Sequence, residues 1–95
     1  MTVLCKNADK RLAKVFSGIT DVDDMCRLLN ELMSKSEMND LVKRWQLMEE
    51  LMAGKTQRAI AKELGVSLCK ITRGAAILKQ KKSTSRNIIK QRKVE

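Results

Sequence analysis

The sequence predicts an all-α chain built around a helix-turn-helix, and three observations predict it. Apolar residues recur at three- and four-residue intervals along most of the chain. Pro is absent and Gly occurs only four times, which suits helices joined by short turns better than a sheet with many hairpins. Between Gln57 and Arg73, a small Ala, a turn Gly and a capping Ser stand at the spacing of two crossing helices. The 95 residues leave room for one domain. Apolar residues make up 43% and aromatics 2%, so a packed core is affordable in volume but must be aliphatic.

Each helix has its own start and stop. Leu4, Ala8, Leu12, Val15 and Phe16 share helical spacing, so residues 1–18 read as a first helix ending at Gly18. Thr20 or Asp21 caps the second, with Asp23 and Asp24 complementing the dipole of its first turn. Val22, Met25, Cys26, Leu28, Leu29, Leu32 and Met33 give it a broad apolar face. Ser34 followed three residues on by Glu37 is a capping box opening a third helix. Leu41, Trp45, Met48 and Met52 form its main stripe, and Val42, Leu47 and Leu51 widen it. A face that wide suggests contacts on two sides, one of them to a second subunit. Gly54 ends this helix, and Thr56 caps a short one over Gln57–Leu64. Gly65 takes the left-handed turn position, and Ser67 caps a helix running to about Gln80. Residues 1–80 are thus expected to form a dimerising, helix-turn-helix domain with its reading unit at 56–79. Residues 81–95 are a basic tail, helical over Thr84–Lys93 or disordered.

Charge then narrows the function. The net charge is +9, and it is unevenly placed. Thr20 to Glu50 holds 8 acidic and 4 basic side chains, whereas Gly54 to Glu95 holds 12 basic and 2 acidic ones. A cationic C-terminal half is an electrostatic footprint for phosphates. The three cysteines, Cys5, Cys26 and Cys69, have neither metal-ligand nor disulfide spacing and are expected to be small packing residues in a reducing cytosol. No apolar run is long enough to span a membrane, and no secretory signal is legible, so a cytoplasmic location is expected. With no His, no nucleophile beside a base, no phosphate-cradling Gly loop and no ligand cluster, neither a catalytic site nor a metal site is expected.

The segment Gln57-Arg-Ala-Ile-Ala-Lys-Glu-Leu-Gly-Val-Ser-Leu-Cys-Lys-Ile-Thr-Arg carries the functional signal. Ala61 is small where two helices cross. Gly65 supplies the positive-φ turn. Ile60, Leu64, Val66 and Ile71 fill the angle between the helices. Ser67 caps the second helix and leaves its first N–H groups for a phosphate. An ordinary helical hairpin accounts for Gly65 and the apolar spacing, but not for Ala61, Ser67 and the outward Lys70, Thr72 and Arg73 together. The second helix therefore fits the major groove of DNA. Gln57, Arg58, Lys55 and Lys62 are expected on phosphates. Leu68, Cys69, Lys70 and Thr72 are candidates for base edges or the thymine methyl, with Ser67 and Arg73 flanking them.

Ile71-Thr72-Arg73-Gly74 behind this helix-turn-helix, with Arg44 and Glu49-Glu50-Leu51…Gly54 on the helix before it, resembles the tryptophan operon repressor family. The likeness carried by these residues runs from about Leu28 to Lys79. It implies an intertwined homodimer on a palindromic operator of double-stranded DNA, with free L-tryptophan as corepressor. It also implies a ligand site: Arg44 and Arg73 on either side of the indole, Gly74 in close approach to the ring, and Ser34 at the pocket floor. The carbonyls of Glu31 and Met33 would receive the amino group. A guanidinium suits both an aromatic face and a carboxylate. Ile77 departs from the family pattern by replacing a small polar residue of the pocket, Lys70 replaces a threonine, and the basic tail does not match the family's last helix. A ligand-independent helix-turn-helix regulator, or a nucleoid-type accessory protein using the basic tail, is the alternative. For Arg44, an ion pair with Asp40 one turn earlier competes with the ligand role.

Overall fold

The computed structural model describes residues 7–93, with the Lys93 side chain excluded. Leu4 and Cys5 therefore lie outside the described residues. Within 7–93 the chain is all helical: α1 (Asn7–Ser17), α2 (Val22–Leu32), α3 (Lys35–Met52), α4 (Gln57–Leu64), α5 (Leu68–Lys79) and α6 (Thr84–Lys93). The local chemistry of each end explains the boundaries. Asp21, not Thr20, caps α2, its carboxylate accepting from the Asp24 N–H at 2.9 Å. Ser34 and Glu37 form the reciprocal capping box of α3. Ser34 Oγ accepts from the Glu37 N–H at 3.1 Å, and Glu37 Oε1 accepts from the Ser34 N–H at 2.8 Å. Gly54 leaves α3 at φ 93°.

The chain forms two compact units, residues 1–38 and 39–95. In the first, α1 and α2 bury no residue. Leu12, Val15, Val22 and Leu32 stand exposed, Val22 at 74%. Both helices thus carry exposed apolar side chains beside the partly buried Phe16, Met25, Leu28 and Leu29.

The second unit owns the core. Leu47 and Met48 of α3, Ile60 of α4, Ile71 and Leu78 of α5 and Ile89 of α6 are buried together. Trp45, Leu51, Met52, Ala61, Leu64, Val66 and Ile77 pack around them, each partly buried. Trp45 thus packs against the core while part of it stays exposed. The choice left open for the tail is settled by packing: α6 is a helix anchored by Ile89, which is 4% exposed. Two cysteine expectations fail. Cys26 and Cys69 are both exposed free thiols and not packing residues: Cys69 falls on the face of α5 away from the buried Ile71, Gly74 and Leu78, and α2, which carries Cys26, buries no residue.

Candidate nucleic-acid interface and ligand cleft

The helix-turn-helix is built by caps and a turn. Thr56 Oγ1 accepts from the Ala59 N–H at 3.1 Å and opens α4. Gly65, at φ 67° and ψ 37°, closes it by donating its N–H to the Ala61 carbonyl at 2.9 Å. Ser67 Oγ then accepts from the Lys70 N–H at 3.3 Å and starts α5. Ile60 and Ile71 have no exposed surface at all, so the angle between α4 and α5 is set by two fully desolvated side chains. Ser67→Ala should therefore cost roughly 1 kcal/mol, seen as a melting temperature lower by about 4–8 °C, and Ser67→Thr should restore most of it.

The expected DNA-facing residues are all exposed on this hairpin. Gln57 and Arg58 lie on the first turn of α4, and Leu68, Cys69, Lys70, Thr72 and Arg73 on the first two turns of α5, all exposed. Leu68 is 51% exposed, which for a leucine at a helix start leaves an apolar contact unmade. Arg58, Lys62, Lys70 and Arg73 enter no ion pair among the described residues.

Lys55 is the exception. It was expected on a phosphate, but its Nζ is held by Glu63 at 2.9 and 3.1 Å and by Glu50 at 3.3 Å. It clips the end of α3 to α4 across the Gly54 turn. Hydrogen bonds to Glu63 and then Glu50 raise the Lys55 pKa. Glu63 is held below the usual carboxylate range, first by its bond with Lys55. The sign of the pH dependence follows. The clip contributes least in acid, where Glu63 is protonated as pH falls through its lowered value, and in strong alkali, as pH rises through the raised Lys55 value. Because the pair is exposed to solvent, Lys55→Met should lower the melting temperature only slightly at neutral pH. That difference should vanish in acid and shrink at high salt.

A cleft of about 60 Å³ opens between α3 and α5. Asp40, Lys43, Arg44, Leu47 and Met48 line one wall, and Lys70, Arg73, Gly74 and Ile77 the other, with Val66 between. Residues 40, 43, 44 and 47 and residues 70, 73, 74 and 77 have the same i, i+3, i+4, i+7 spacing, so each wall is one face of one helix. Arg44, Arg73, Gly74 and Ile77, four of the five side chains expected around a ligand, line the cleft together, and Ser34 is not among its lining residues. Arg44 makes no ion pair with Asp40, although both line the cleft. Ser34 is engaged as the N-cap of α3.

Gly74 has a second, structural reason to be glycine. It is buried, and a Cβ built there would lie 2.5 Å from Leu47 Cδ1 and 3.4 Å from Met48 Cγ. The missing side chain lets α5 come this close to α3 without displacing Leu47. Asp40, Lys43, Leu47, Met48 and Val66 escaped the sequence reading as cleft residues. Their helical spacing was visible, but not which helix faced which.

The Trp repressor protein family model matches residues 10–93, α1 through α6. The chain belongs to the Trp repressor family. The match extends beyond the motif residues in both directions and includes α6. Among similar proteins, a Trp operon repressor homolog of Xylella fastidiosa strain M23 is 40% identical over 74 residues, covering 77% of this chain and 80% of that protein. One from Vibrio parahaemolyticus is 38% identical over 82 residues, 85% of this chain and 80% of its own length. One from Chlamydia trachomatis serovar D is 42% identical over 53 residues, 55% of this chain and 56% of its own length. No solved structure matches the chain significantly. The Trp repressor family is a regulatory family of DNA-binding repressors, not of enzymes, and tryptophan is its corepressor. Among the described residues no helix is long and apolar enough to cross a membrane.

Proposed function

We propose that this member of the Trp repressor family is a transcriptional repressor that binds a palindromic operator as a homodimer, with L-tryptophan as corepressor in the α3–α5 cleft. One observation carries the reading: Arg73 and Gly74 belong at once to the reading helix and to the cleft wall. A ligand wedged between Arg44 and Arg73 would restrain the angle of α5 against α3, and with it the fit of α5 to the major groove. That is how a small molecule gains leverage on DNA affinity, by binding one conformation better than the others. The two guanidiniums suit a carboxylate and the two faces of an aromatic ring. Leu47, Met48, Val66 and Ile77 supply apolar lining for its body.

In the reading unit, Gln57 and Arg58 would position the protein on phosphates, and Leu68, Cys69, Lys70 and Thr72 would meet the groove floor. The exposed Leu12, Val15, Val22 and Leu32 of α1 and α2 support dimerisation, since apolar side chains left in water gain from burial against a second copy. A family that works on DNA fits a cytoplasmic place of action.

Titration calorimetry with L-tryptophan, on the native chain and on Arg73→Ala, tests the ligand. Binding to the native chain and a loss of at least tenfold on substitution are expected. Operator affinity that does not change with excess tryptophan would leave a ligand-independent regulator. The apolar Ile77 in the cleft wall is the residue that favours that second reading.

A further inference from the structure

The cations of α5 and α6 exceed what the reading helix uses. From Gly65 to Lys93 the chain carries nine Lys or Arg and no Asp or Glu. One of them, Arg86, is spent inside the fold. Its Nη1 donates to the Leu78 carbonyl at 3.0 Å and its Nη2 to the Lys81 carbonyl at 2.8 Å. Ser83, 2% exposed, caps α6 by accepting from the Arg86 N–H at 3.1 Å. Ile89 is buried in the same core as Ile71 and Leu78. Two contacts thus tie α6 to α5, the Arg86 bond to the Leu78 carbonyl and the packing of Ile89, and the Ser83 cap fixes where α6 starts.

On that mount, Lys79, Lys81, Lys82, Lys90 and Arg92 are exposed and form no ion pair among the described residues. Like charges crowded without a counter-charge disfavour the compact state. Holding them rigidly makes sense against an external anion of repeating charge. An anionic membrane surface fits poorly, because a helix lying on lipid needs an apolar face to insert. The apolar side of α6 is already used, with Ile89 in the core and Ile88 left alone outside. Duplex phosphates need only the cations.

We infer that α6 and the turn before it form a second phosphate grip on DNA, separate from the reading helix, in which Lys81, Lys82, Lys90 and Arg92 are the contacts. The inference rests on the proposed reading of α4 and α5 as the DNA-binding unit. The grip raises affinity without adding sequence choice, since phosphates are the same at every base pair.

The test measures the salt dependence of affinity for a mixed-sequence duplex of three helical turns, using the full chain. Lys81→Gln, Lys82→Gln, Lys90→Gln and Arg92→Gln are combined in one variant. Each phosphate contact removed should flatten the slope of log affinity against log salt by about 0.9, or about 3.6 for four contacts in one protomer. Between about 50 and 200 mM salt, those contacts account for roughly a hundredfold of the lost affinity. Replacing the three lysines by Arg should leave the slope as it was. If the combined variant loses its helical signal, Lys82→Gln and Lys90→Gln are measured singly, each expected to remove about 0.9 for every protomer bound. A slope unchanged by the Gln substitutions, or stronger binding to phosphatidylserine vesicles than to the duplex, overturns the grip. Failure of the native chain to bind any DNA overturns the proposed function along with it.

Discussion

Ile71→Ala should cost about 2–5 kcal/mol, because it empties a fully buried site where α4, α5 and α3 meet. Small domains have roughly 5–15 kcal/mol in total, so the variant should lose a large part of its stability. Urea unfolding followed by helical signal measures it: the midpoint should fall while the slope stays constant. Ile71→Val should cost only about 0.5–1.5 kcal/mol. DNA affinity should follow the folded fraction in both variants, since Ile71 is fully buried and offers no surface to a partner. A loss below 1 kcal/mol for the alanine variant would mean the site collapses around the missing atoms and the hairpin angle is not held by this side chain.

Gly74→Ala should act on the cleft more than on stability. The new methyl would lie 2.5 Å from Leu47 Cδ1, so one of the two must move. Leu47 is 1% exposed and packed on its other sides. The direction left to it is the cleft that it lines. Overpacking of this kind costs about 1–3 kcal/mol, and the better helix propensity of alanine returns up to about 1 kcal/mol. Net destabilisation should therefore be about 0–2 kcal/mol, whereas tryptophan affinity, read by calorimetry, should fall at least tenfold. A double-mutant cycle locates the cause. Combining Gly74→Ala with Leu47→Ala should cost less than the sum of the single changes by more than 0.5 kcal/mol, the coupling expected of residues in contact. Strict additivity would show that the methyl fits without touching Leu47.

These two residues divide what was legible from what was not. Ile71 could be picked out by spacing alone, because a helix-turn-helix repeats its buried positions at fixed intervals from the turn glycine. Gly74 was noted only through a family likeness to a ligand-contacting glycine. Its packing reason, the contact with Leu47 twenty-seven positions earlier, has no sequence signature. Arg44 and Arg73 were paired in the same way, by likeness, and the cleft places both in one lining. Lys55 shows the opposite failure. A lysine beside a helix-turn-helix reads as a phosphate contact until Glu50 and Glu63 are seen to hold it.

Where the helices begin and end is written in a few local residues. Asp21, Ser34 with Glu37, Thr56 and Ser67 each satisfy a backbone N–H three residues on, and Gly54 and Gly65 supply the positive-φ exits. Such choices are made within one turn of chain, so local residues suffice. The charge bias of the C-terminal half is likewise a matter of composition. Tertiary structure alone decided that α6 is tied to α5 by Arg86 and Ile89 and that two helix faces enclose a cleft. It also decided that Cys26 and Cys69 point outward. Those outcomes depend on how helices cross, and a 3.6-residue period names a buried stripe without naming the stripe it meets.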